Sequence, residues 1–109
     1  MGKVVVHNKL VRDNMPEIIL TRGATSVTRQ LSDVEYSKEL LKKLIEEAKE
    51  LFETRGSLKE RVDVAEVLLA IDEFFGYSAG DIEQLRQTVA AKSGAFKKRI
   101  YLESTEEMN

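Results

Sequence analysis

Residues 46–63 read EEAKELFETRGSLKERVD, and five of the acids in that stretch decide how the chain is read. Glu46, Glu47 and Glu50 form an E-E-x-x-E group; after nine further residues, Glu60 and Asp63 form E-x-x-D. Spacings of three and four stack side chains on one side of a helix, a turn apart. Two such helices packed antiparallel converge these carboxylates on one point. Like charge gathered in that way is unfavourable unless something positive sits among it. Carboxylate oxygens suit a hard divalent cation, magnesium or manganese.

E-E-x-x-E alone is also an ordinary solvated helix face in a chain that is 33% charged. Asp63 is the sharper signal. Helical periodicity places it on a stripe with Val67, Ala70 and Phe74, between the sequence neighbours Val62 and Val64. An acid on an apolar stripe is costly unless it is paired or coordinating. Arg61 points away from it, so the sequence shows no basic partner for Asp63 on its own helix.

Around this pair of motifs the pattern predicts helices. The first runs from about Asp33 to Thr54, opened by a Ser32-x-x-Glu35 capping box and closed by Arg55-Gly56. Its apolar stripe is Leu40, Leu41, Leu44, Ile45, Ala48, Leu51 and Phe52, with Glu47 at the apolar edge. The second runs from about Leu58 to Phe74 behind Ser57-x-x-Glu60, a second capping box that gives Glu60 a purely structural alternative role. It is apolar nearly all round, which predicts burial on several sides and a partner subunit. The third runs from about Ala79 to Ser93, capped by Ser78 and stopped by Gly94.

The flanks are mixed. Asp13 is expected to cap a short helix with Pro16 in its first turn and Gly23 at its end. Short strands are expected at Val4–Val6 and Val27–Leu31, with Ile100–Leu102 adding beside the latter. The expected organisation is one mainly α domain over residues 1–109. Residues 1–31 form a mixed segment, 32–94 the helical core and 95–109 a basic tail that ends frayed.

Composition excludes several classes. The net charge is −2, so nothing marks a nucleic-acid partner. There are no cysteines, which removes disulfides, zinc thiolates and a thiol nucleophile. His7 is the only histidine, so no multi-histidine metal site can form within one chain. No apolar run approaches the roughly 20 residues of a membrane span, and Val4-Val5-Val6 is too short for a signal sequence. A cytoplasmic protein is the expectation.

The acidic pattern resembles the signature of the MazG-like, all-α nucleoside triphosphate pyrophosphohydrolases. His7-Asn8-Lys9-Leu10-Val11-Arg12-Asp13-x-x-Pro16-Glu17-Ile18-Ile19 resembles the opening of their phosphoribosyl-ATP pyrophosphatase-like branch. Lys92-x-Gly94-x-Phe96-x-x-Arg99-Ile100 resembles its close. Arg61 and Val62 depart from the family, which usually has a small residue before the aspartate, and the linker between the acidic motifs is short. The resemblance implies a helical bundle and hydrolysis of a nucleoside triphosphate between the α and β phosphates. It also implies metal ligation by Glu47, Glu50, Glu60 and Asp63, a water-orienting role for Glu46, and a homodimer or homotetramer.

A polyphosphate would be repelled by bare carboxylates, and magnesium would bridge the two. No Gly-rich phosphate loop is present. Lys9, Arg12, Lys92, Lys97, Lys98 and Arg99 are therefore candidates for neutralising phosphate. The leading expectation is removal of non-canonical nucleotides. Phosphoribosyl-ATP hydrolysis in histidine synthesis, or an inert helical oligomer acting as a binding module, are the alternatives.

Overall fold

The computed structural model describes residues 2–108. Among them the chain is helical and holds four helices: α1 (Met15–Thr21), α2 (Asp33–Glu53), α3 (Leu58–Phe75) and α4 (Ala79–Ser93). The chain divides into two compact units, one through Gly76 with α1, α2 and α3, and one from Tyr77 with α4. Thus α4, which the sequence groups with the 32–94 helical stretch, falls in the second unit.

The helix ends follow from local chemistry. Ser32 and Glu35 form a full capping box at the start of α2. Ser57 and Ser78 accept from the backbone N–H of Glu60 and Asp81 at the starts of α3 and α4. At the end of α2, Arg55 N–H donates to Phe52 O and Gly56 N–H to Leu51 O, the paired bonds of a Schellman stop. Arg55 takes φ +57°, a left-handed conformation that disfavours a side chain. Only four residues, 54–57, separate α2 from α3.

Those two helices make one antiparallel hairpin. Away from the connection, Tyr36 meets Phe74 edge-on with ring centroids 5.4 Å apart. Leu40 is fully buried and Ile71 nearly so, and Leu44, Leu51, Val64 and Val67 on the same two helices are half-buried. Asp63, Val67, Ala70 and Phe74 share the packed face of α3, as periodicity predicts. The broad apolar stripe expected on α2 splits in two. Leu40, Leu44 and Leu51 face α3, whereas Leu41, Ile45, Ala48 and Phe52 remain exposed. One neighbouring helix covers only one side of a stripe that wide. On α3, Leu58, Val62, Ala65 and Leu69 point outward in the same way.

Two expectations about the flanks fail. Val4–Val6, Val27–Leu31 and Ile100–Leu102 form no strands among the described residues. A strand needs a ladder partner, and these backbones make no cross-strand hydrogen bond, so their valines and Ile100 stand in solvent. The start of α1 is displaced as well. Asn14, not Asp13, is the N-cap residue, and its side chain makes no cap bond. Pro16 lies in the first turn, where its missing N–H leaves no gap.

Candidate metal centre

All five acids of the two motifs lie on the mutually packed sides of α2 and α3, nearer the connection than the Tyr36–Phe74 contact. Two triads form, and they share Glu47. Carboxylate oxygens of Glu46, Glu47 and Glu50 lie within 4.8 Å of one another, as do those of Glu47, Glu60 and Asp63. The first triad comes from consecutive turns of α2, and the second spans the hairpin.

Glu47 is the centre of the arrangement. The sequence places it at the edge of an apolar stripe; the structure places it on the packed face of α2, with 7% of its surface exposed. One of its oxygens, Oε1, lies 3.5 Å from Lys43 Nζ. The other, Oε2, is fully buried and has no hydrogen-bond partner. Glu60 Oε2 is in the same condition. Unpaired buried carboxylate oxygens are rare because desolvation is uncompensated. Burial, then the charge of Glu50, pushes the Glu47 carboxyl above the ordinary range.

Glu60 could have been spent on helix capping. In the structure the cap at Ser57 uses only the Glu60 backbone N–H, at 3.3 Å. Its carboxylate is left turned into the cluster with a bare oxygen.

Asp63 does have a basic partner on its own helix, although Arg61 points away from it. Lys59, one turn earlier, places Nζ 2.6 Å from Oδ2. Arg12 reaches Oδ1 at 2.9 Å from the N-terminal segment. These two partners, Lys59 before Arg12, hold the Asp63 carboxyl below its ordinary range against the opposing effect of burial. Lys59 is raised in turn by the hydrogen bond to Asp63. Glu46 is tugged both ways: burial raises it, but Lys9 at 3.3 Å and Lys43 at 3.3 Å outweigh burial and hold it low.

Four cations therefore touch the cluster: Lys9, Arg12, Lys43 and Lys59. Lys9 and Arg12 stood among the phosphate-neutralising candidates. Lys43 and Lys59 were missed, although each precedes an acid of the motif by four residues, the spacing that pairs charges on a helix. Lys92, Lys97 and Arg99 lie in the second unit, Lys92 in the last turn of α4 and the others in the loop beyond it. That loop, with Lys98, borders a concavity of about 320 Å³.

The donor set is all oxygen, it comes from two rigid helices, and it leaves two buried oxygens without a donor. Hard divalent cations take such ligands, so the residues present could hold an ion of that class. Nothing in the cluster is nucleophilic in the manner of a thiol or an imidazole. Among the described residues no helix is long and apolar enough to cross a membrane. Comparison with known proteins finds no matching family model, curated protein or solved structure.

Proposed function

We propose that the chain is a magnesium- or manganese-dependent nucleoside triphosphate pyrophosphohydrolase, cutting between the α and β phosphates to give a monophosphate and pyrophosphate. The observation that carries this reading is Glu47 Oε2, buried without a partner where two carboxylate triads overlap. An acid in that position is a standing cost to the fold, and a divalent ion bound through Glu47, Glu50, Glu60 and Asp63 would remove it. The sequence likeness to the MazG-like enzymes supplies the substrate class.

When bound, the ion supplies Lewis acidity and offsets the charge of a polyphosphate. The remaining work falls to side chains. Glu46 belongs to the α2 triad but is the less buried neighbour of Glu47, and it is held in its ionised form by Lys9 and Lys43. An ionised carboxylate at the rim can orient water and accept its proton. Lys43, only 16% exposed at its side chain, stays among the acids as a fixed positive charge. The same reading includes a homodimer or homotetramer, which would cover the outward apolar residues of α2 and α3.

The test is a panel of canonical and modified nucleotides, with phosphoribosyl-ATP included, incubated with magnesium and assayed for pyrophosphate. Release of pyrophosphate identifies both the reaction and the preferred base. Release of single phosphate, or no turnover across the panel with either metal, would defeat the proposal.

A further inference from the structure

The four cations on the acidic cluster are held in two different ways. Lys43 and Lys59 are carried by the same helices as their partners, three or four residues away, so helix geometry keeps them there. Lys9 and Arg12 come from the non-helical segment ahead of α1, 37 and 51 residues from Glu46 and Asp63. Residues 2–11 contribute no backbone hydrogen bond to any ladder, and Arg12 makes one, from its carbonyl to Met15 N–H. The segment is thus held by the two ion pairs and the half-buried Leu10, with no backbone ladder, and can move without breaking secondary structure.

Exposure is divided unevenly within each pair. The Arg12 side chain is 55% exposed while that of Asp63 is 13% exposed. Lys9 is likewise the more open member of its pair with Glu46. Ion pairs open to solvent on one side are weak and screened by salt, so a divalent cation competing for the Asp63 oxygens displaces Arg12 directly, and its charge beside Glu46 in the shared α2 triad loosens Lys9. The cations then lie at the rim of the cluster with their charge unspent. An arginine fork and a lysine ammonium are the groups that hold phosphate, the arginine in bidentate fashion.

We infer that Lys9 and Arg12 exchange partners as the site fills: they neutralise Glu46 and Asp63 in the metal-free protein and hold substrate phosphate in the metal-loaded protein. This rests on the metal reading given above and adds an order of events, metal before polyphosphate. It assigns the N-terminal segment a binding role of its own, beside Lys43 and Lys59 on the helices. Arg12 and Lys9 are then phosphate-binding residues that also compete with the metal.

The inference makes two predictions of opposite sign for one variant. In the full chain carrying Lys9→Ala and Arg12→Ala, calorimetric titration with Mn²⁺ should show affinity raised by roughly two- to tenfold, the span expected from losing two exposed ion pairs. Titration of the Mn²⁺-saturated variant with inorganic pyrophosphate should show affinity lowered by at least about tenfold. Arg29→Ala, which removes a cation paired with Glu35 away from the cluster, should change neither. Arg12→Lys should restore part of the pyrophosphate affinity. Unchanged Mn²⁺ affinity in the double variant would overturn the competition, and unchanged pyrophosphate affinity would overturn the phosphate role. Failure of the wild type to bind Mn²⁺ would instead overturn the metal reading itself, and the two failures are separately visible.

Discussion

Replacing Glu47 by glutamine should make the metal-free protein more stable and the metal-loaded protein less so. The structure gives the size of the effect. Two buried oxygens, Glu47 Oε2 and Glu60 Oε2, have no donor. An unsatisfied buried polar atom costs about 1–3 kcal/mol. A glutamine amide at position 47 supplies N–H groups among carboxylate oxygens that lie within 4.8 Å, and it removes one negative charge from both triads. Against this, the contact with Lys43 at 3.5 Å is lost, worth about 1 kcal/mol at most. The net gain is about 1–2 kcal/mol, or a rise in Tm on the order of 4–16 °C in excess EDTA. In magnesium at a hundred times Kd the wild type should gain about 2.7 kcal/mol by linkage, and the variant little. The order of stability then inverts between the two buffers. A parallel variant, Asp63→Asn, should be destabilised in EDTA, because Asp63 is satisfied by Arg12 and Lys59. Thermal melts of the three proteins under both conditions read all of this. A Glu47→Gln protein that melts below wild type in EDTA, or that gains as much from magnesium, would refute the account of Glu47 as an acid held for a metal.

Glu46→Gln should lower turnover by roughly 10²–10⁴-fold while Mn²⁺ binding by calorimetry is largely kept, as loss of a general base requires. Hydrolysis in ¹⁸O-water should place label in the monophosphate; label confined to pyrophosphate would move the attack to the β phosphorus. Light scattering at micromolar concentration should find a dimer or larger, driven by Leu41, Ile45 and Phe52 on α2 and Leu58, Val62 and Leu69 on α3, all exposed in the single chain; a stable 12.4 kDa particle would oppose it. The capping box gives a pH dependence. Arg29 first, then the Ser32 backbone, hold the Glu35 carboxyl down to about 2 from 4.5. A depressed carboxyl stabilises the fold above the unfolded value and loses that contribution as pH falls through the folded one. The advantage of wild type over Glu35→Gln in thermal melts should therefore be full near neutrality and shrink between about pH 4.5 and 2; an advantage that persists at pH 2 would contradict the assignment.

Helices α2, α3 and α4 were legible because their caps are written locally. Ser32, Ser57 and Ser78 each sit one residue before a helix and bond the N–H three residues on. The five acids were legible for a related reason: their spacing is helical, and a single helix obeys one period. What the sequence did not show is tertiary. Val4–Val6 and Ile100–Leu102 have strand composition, but pairing requires a partner that one chain does not provide. The α2 stripe was read as one face, although two surfaces share it, and this moved Glu47 from the edge of the packed side to its middle. Lys59 could have been found from its four-residue spacing to Asp63. Arg12 could not, since nothing local links positions 51 residues apart.

The connection between α2 and α3 has a consequence for the chemistry it never touches. Glu50 stands four residues before the 54–57 span and Glu60 three residues after it, with Glu47 and Asp63 three residues farther out on either side. The two halves of the metal site are therefore registered by Arg55 and Gly56, both at positive φ, and by the Ser57 cap that starts α3 at once. An added residue there would leave Glu60 and Asp63 in register with Val67, Ala70 and Phe74 on α3, so the Arg55–Gly56 stop and the Ser57 cap would have to absorb it, and the alignment of the two triads along the seam with them. If the two triads hold a divalent ion as proposed, their spacing, and with it the fit to an ion of given radius, depends on a stretch of backbone that contributes no ligand.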